Sequence, residues 1–351
     1  MIFLFSTENK IISMKYLYLF FVLGSVLTSC TSPEGTTPSQ SIDENFKWIV
    51  PTEGISGSLN FFPLAVDPQM TPANEINFID DNFRVAMVKS GSEIRVYPYD
   101  FISKFEAVND KIGNMEYTMT FCPKTKSGLV MNRQFKQSNF TIRASGYLFQ
   151  DNQVLIDESS DTFWSQMLIK CIKGKYAGER IKTFHFVETK WATVKNYFPD
   201  ALVFTNTSVS NKSSKVSSKK EDLNKDNLIF GVPDQKLKSN QNENVHLFPF
   251  QDFEDGIQLK SARISSEKVL IIGNKEKHFI TTYINNSNAD FKAVQNQFPI
   301  IMEDSNNNKW DVFGKAVSGP RKGEQLKSLP SFFALDWAWE SFYDEVFIFV
   351  D

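Results

Sequence analysis

The sequence predicts a mostly β, α+β protein built as two related tandem repeats of short-stranded sheets with few short helices. Three observations carry this. Short runs of alternating apolar and polar residues recur, helical signals are few, and one ordered set of motifs is met twice.

The alternating runs come first. Ile94 and Val96 alternate with polar neighbours. In 115–122, MEYTMTFC, Tyr117, Met119 and Phe121 share one face, and Glu116, Thr118, Thr120 and Cys122 share the other. Residues 140–145, 153–157 and 269–272 also read as strands. Helical turns are expected at 100–107 after Pro98, at 190–198 and at 290–297.

The repeated motifs follow. Pro98 stands between two tyrosines, and Pro249 between Phe248 and Phe250. Each is followed by a Phe-containing segment and then an apolar strand. Trp164, Gly174, Gly178, Glu179 and Lys182 are echoed by Trp310, Gly319, Gly323, Glu324 and Lys327, with the same G-x₃-G-E-x₂-K spacing. Both halves close on an aromatic cluster, WATVKNYFPDALVF and LDWAWESFYDEVFIF. A period this long indicates two related units and not a solenoid. Between them, 205–227 is rich in Ser, Lys and Asn, with too few apolar side chains to bury, and reads as a flexible linker. The first repeat spans 44–204 and the second, diverged one 228–351.

Ahead of the repeats, Lys15 and the apolar run Tyr16 to Leu27 have the form of a signal peptide covering 1–29, with Met14 as its true start. That apolar run is too short to span a bilayer. It ends in Leu27-Thr28-Ser29-Cys30, which resembles the lipobox of bacterial lipoproteins. Cys30 is therefore the expected lipidation site, 30–43 a polar tether, and the membrane the first partner through a lipid anchor. The expected location is the cell envelope, outside the cytoplasm.

Composition narrows the function. A net charge of −3 gives no electrostatic case for nucleic acid. Three His and three Cys leave little for a metal cage, and no phosphate loop, Ser-His-Asp spacing or Cys-x-x-Cys is present, so no metal or cofactor is expected. His185, His246 and His278 sit among aromatics or beside short strands and read as packed or surface residues.

Cys122 is the residue most open to chemistry. It ends a strand, Pro123 stops the ladder, and Lys124 and Lys126 lie close enough in sequence to favour a thiolate. A small side chain packed under a loop is the other reading. Glu106, Asn109 and Asp110 fall at i, i+3 and i+4, on one face if helical, or at the start of a turn if not. Trp164 and Trp310 read as core anchors, and Gln166 as the better site candidate. In the second repeat Asn274 stands where Cys122 does.

Residues 90–204 resemble a bacterial and archaeal family of unknown function, DUF3179. The resemblance is carried by Val96-Tyr97-Pro98-Tyr99, by Phe105 to Asp110, by Thr120-Phe121-Cys122-Pro123-Lys124-Thr125-Lys126-Ser127, by Phe140 to Gly146, by Asp157, and by Ser160 to Gln166. It implies no activity. It adds Thr125, Ser127 and Ser145 to Asn109 and Gln166 as polar positions expected around a ligand. The family's His before Glu106 is Phe105 here, and Lys124 and Lys126 replace a Leu and a Gly, so a Cys–His pair is not available from these positions.

Two functions are left open. One is an envelope-anchored lipoprotein that serves as a binding or assembly module for a small molecule or another envelope protein. The other is an extracytoplasmic enzyme with Cys122 as thiol nucleophile or redox centre and Glu106 or Asp110 as acid/base.

Overall fold

Period-two alternation makes strands, and the computed structural model consists mainly of them, with three short α-helices among the described residues. Residues 46–205, 227–234, 243–287 and 289–349 are described; the expected signal peptide, Cys30, the whole expected tether and nearly all of the expected linker lie outside them. No helix of the described residues is long and apolar enough to cross a membrane.

The strands of the main sheets are numbered here in chain order. The first half contains β1 (Met70–Pro72), β2 (Arg84–Ser90), β3 (Glu93–Pro98), α1 (Tyr99–Ile102), β4 (Ala107–Ile112), β5 (Met115–Cys122) and β6 (Ser127–Asn132). It continues with β7 (Ile142–Phe149), β8 (Asn152–Asp157), β9 (Thr162–Ser165), β10 (Lys170–Lys173), β11 (Phe186–Lys190), α2 (Trp191–Tyr197) and β12 (Leu202–Phe204). The second half contains β13 (Leu228–Pro233), β14 (Asn244–Pro249), β15 (Gln258–Ile264), β16 (Glu267–Asn274) and β17 (Phe279–Ile284). It ends with β18 (Phe291–Ala293), β19 (Ile300–Asp304), β20 (Lys309–Asp311), β21 (Ala316–Ser318), β22 (Phe332–Leu335), α3 (Asp336–Phe342) and β23 (Glu345–Ile348).

The pairing order of the first half recurs in the second. Sheet β11-β2-β3-β12 corresponds to β22-β13-β14-β23, β4-β5-β6 to β15-β16-β17, and β7-β8-β9-β10 to β18-β19-β20-β21. Even the parallel pair recurs, β3 with β12 and β14 with β23. Pro98 pairs with Val85 and Pro249 with Ile229 at the same ladder end. Each proline ends its strand and precedes a helical turn, as expected of a residue with a fixed φ and no N–H. The first half adds three strands at sheet margins: β1 beside β12, Ile55–Gly57 beside β7 and Ala65–Val66 beside β4.

The halves meet reciprocally: β6 packs against β22, and β11 against β17. Since β6 and β17 correspond, as do β11 and β22, the junction has the character of a two-fold interface. Leu335 N donates to Thr125 O at 2.9 Å, and Thr189 Oγ1 donates to the carbonyl of Lys277, the counterpart of Thr125, at 2.5 Å. An Arg84–Glu188 ion pair, both side chains under 5% exposed, is sealed there, with Phe333 N donating to Glu188. One apolar cluster runs through both halves, from Tyr97, Trp164 and Trp191 to Tyr283, Trp310 and Trp339. The described residues form one compact unit.

Two expected helices differ. The 100–107 helix ends at Ile102, because Glu106 takes φ +56° and Ala107 already starts β4. The 290–297 helix is replaced by β18, whose Phe291, Lys292 and Ala293 pair with β19; tertiary pairing overrides the local preference.

Candidate functional site

Strand β5 is central in its sheet and buried on both faces, so its polar face meets protein and not water. Thr118 and Thr120 are fully buried, and Cys122 is 1% exposed. Thr120 and its neighbours join a closed hydrogen-bond network. Asn152 Nδ2 donates to Thr125 Oγ1 at 2.8 Å, Ser127 Oγ at 3.1 Å and Gln166 Oε1 at 2.9 Å. Ser127 Oγ donates to Gln166 Oε1 at 2.7 Å, and Gln166 Nε2 donates to Thr120 Oγ1 at 2.8 Å. Asn152 Oδ1 is buried without a hydrogen-bond partner among the described residues, as are both amide atoms of Gln153.

Cys122 lies beside this network. Burial pushes its thiol up, against donation from the Thr125 hydroxyl and from the backbone N–H groups of Thr125 and Gln153, and the Glu106 charge pushes it further. Lys124 points elsewhere, pairing with Asp151 at 2.7 Å. Glu106 is half-buried, and burial pushes its carboxyl up to about 7. Its backbone carbonyl accepts from Phe121 N at 3.0 Å, which places it next to Cys122.

Glu106, Asn109 and Asp110 do not share a helix face. Asn109 and Asp110 are on β4, so they face opposite sides. Asp110 lies four positions beyond Glu106, roughly 13 Å along extended chain, so Asp110 does not join Glu106 at the thiol. Instead Asp110 accepts from Arg95 and from Tyr97 OH at 2.5 Å, and Tyr97 OH is 2.6 Å from Tyr117 OH. Burial pushes both phenols well up. Asn109 Nδ2 donates to Ala65 O and Ile142 O, at 3.1 and 2.7 Å, while its Oδ1 accepts from Thr118 Oγ1 and Ile142 N, at 2.8 and 2.9 Å. Both donors and both acceptor sites of that amide are used, leaving none for a ligand. Ser145 is likewise committed, donating to Val154 O at 2.6 Å and accepting from Tyr147 N at 3.1 Å across an irregularity in β7. The structure thus gathers Cys122, Glu106, Thr125, Ser127 and Gln166, and sets Asn109, Asp110 and Ser145 apart.

Among its described residues the second half has no copy of the network. Register places Ile272 opposite Thr120's role, Asn274 at Cys122, Phe279 at Ser127 and Val312 at Gln166. Cys171 is a second free, buried thiol, pushed up to about 12 mainly by burial. No group of three or more His, Cys, Asp or Glu among the described residues is placed to hold a metal.

A different feature lies at the junction of the halves. The corresponding arms after the two G-x₃-G-E-x₂-K motifs run along β6 and β17: Asn132 N donates to Lys182 O, and Ile284 N to Lys327 O, both at 2.8 Å. Between the arms is a cavity of about 240 Å³, with Leu129, Lys182, His185, Phe186, Ser328 and Ser331 on its walls. His185 Nε2 lies 2.8 Å from Thr281 Oγ1, and burial pushes the imidazole down to about 4. In the sequence His185 reads as a packed or surface residue, and Lys182 stands out only as the end of a repeated motif. The duplicated motif that ends in Lys182 was the available signal.

The fold is thus a mostly β protein whose two halves share one strand order, with a polar network in one half and a cavity between them. A sequence model of the family described as "Protein of unknown function (DUF3179)" matches residues 60–346, and the chain belongs to that family. No curated protein and no solved structure matches it.

Proposed function

We propose that this protein is an envelope-anchored lipoprotein that works as a binding module, with the junction cavity as its ligand site. The observation that carries the reading is the cavity itself: a concave space lined by polar and apolar residues alike, set where the two halves meet. Duplication of one ancestral unit accounts for its position, since the arms that form it occupy matching places in the two strand orders. The test is a thermal-shift screen of small polar metabolites on the intact protein. Hits are expected, and Ser331→Phe should abolish them by filling the space. A screen without hits, or hits indifferent to that variant, removes the reading.

Anchoring is tested separately. Cys30→Ala should release the protein from the membrane fraction and abolish palmitate labelling; unchanged fractionation and labelling would count against lipidation.

One observation favours the thiol enzyme, namely the Glu106 carboxyl, raised to about 7, beside Cys122. The burial of that thiol weighs more, because reactive cysteines are accessible and have lowered pKa values. Cys122 should react slowly with a thiol probe at every pH below 8. A reaction plateau below pH 7 would reverse this ranking.

A further inference from the structure

The junction cavity has three chemical features that together specify a ligand class; the inference rests on the binding reading above. The first is charge. Lys182 is exposed, has no ion pair among the described residues, and no acidic side chain lines the cavity. An anionic group would find a lysine on the wall and no opposing carboxylate. The second is a directed hydrogen-bond chain. Tyr283 OH donates to Val312 O at 2.7 Å, and Thr281 Oγ1 donates to Tyr283 OH at 3.3 Å. The Thr281 hydroxyl has spent its proton, so the bond to His185 Nε2 is one in which the imidazole donates. A neutral ring with its proton on Nε2 leaves Nδ1 as an acceptor, and Nδ1 has no partner among the described residues. That atom calls for a donor, not for a second carboxylate oxygen. The third is the wall. Leu129, Phe186 and Leu329 supply apolar surface, and about 240 Å³ limits the occupant to a small molecule.

We propose that the cavity binds a small hydroxycarboxylic acid with an apolar body, its carboxylate toward Lys182, its hydroxyl donating to His185 Nδ1, and its body against Leu129, Phe186 and Leu329. The second half supplies Thr281, Ser328 and Ser331, so neither half holds the complete site.

The test is calorimetric titration of the intact protein with lactate, 3-hydroxybutyrate, mandelate and 3-phenyllactate. The controls are phenylacetate, which lacks the hydroxyl, and 1-phenyl-1,2-ethanediol, which lacks the carboxylate. At least one hydroxy acid should bind, and mandelate should bind at least tenfold more tightly than either control. Lys182→Met, an exposed change that leaves the core untouched, should remove the preference for mandelate over the diol. If the diol binds as well as mandelate and Lys182→Met has no effect, the acid class is wrong while the cavity remains a binding site. If no acid or control binds, or if binding survives Ser331→Phe, both the class and the cavity reading are overturned.

Discussion

Gly178 and Gly323 hold the same post in the two halves. Gly178 N donates to Cys171 O at 2.9 Å with φ +90°, and Gly323 N donates to Ala316 O at 2.8 Å with φ +94°. Their neighbours Gly174 and Gly319 also have positive φ. The shared G-x₃-G spacing is therefore a backbone requirement, a loop that returns to its strand through left-handed residues.

These glycines should differ in sensitivity. A Cβ at Gly178 meets nothing within 4 Å, so Gly178→Ala should cost only the conformational strain, about 1 kcal/mol. A Cβ at Gly174 would meet the Asp161 carbonyl, so Gly174→Ala should cost at least about 3 kcal/mol. Urea unfolding of the two variants checks the order; equal losses would contradict it.

Asn109 should prove structural. Asn109→Ala removes four bonds that tie β4 to β5, β7 and Ala65, and should cost roughly 2–4 kcal/mol. Thr118→Val removes one of the four and should cost about 1 kcal/mol. Unfolding midpoints measure both, and ligand affinity at the junction should be unchanged in the valine variant.

Gln166→Leu should cost roughly 2–4 kcal/mol, because it removes the bonds that Gln166 makes to the Asn152 amide, the Ser127 hydroxyl and Thr120, all buried, and leaves each with fewer partners. A near-neutral result in denaturant titration would mean that the network relaxes into other bonds.

Stability should depend on pH through groups of opposite sign. Burial pushes His185 down to about 4 and His278 down to about 3, while an unfolded histidine titrates near 6.5. Between those values the unfolded chain binds protons the folded one does not, so stability should fall as pH drops from about 6.5 towards 4. Glu106, pushed up to about 7, acts the other way. Above about 4.5 its unfolded carboxyl is ionised, and its stabilising share is lost as pH rises through 7. Glu106→Gln should therefore stabilise the protein at pH 8, by roughly 1–2 kcal/mol after solvent screening. Urea midpoints at pH 4, 6 and 8 for both proteins test the signs.

Much of the fold was legible because strand periodicity is local. The alternation in 115–122 and 153–157 found β5 and β8, and the paired motifs with their Pro98 and Pro249 turns mark the matching strand order. The site was less legible. Strand parity placed Thr118, Thr120 and Cys122 on one face correctly, but parity does not say what covers a face, and here neighbouring sheets do. The i, i+4 spacing of Glu106 and Asp110 suggested a helix face, which β4 replaces. His185 carries no local signal at all, because its surroundings come from Thr281 and Tyr283 in the other half.

The reciprocal packing of β6 on β22 and β11 on β17 sets a timetable for folding. The first half is made with Leu129, Phe186 and the Arg84–Glu188 pair still uncovered, since their covers lie 88 or more residues downstream. Contacts so distant in sequence form late and slowly. The newborn chain therefore spends its most adhesive interval waiting for its own second half, and the Lys- and Ser-rich stretch between the halves is the part that must be made while it waits.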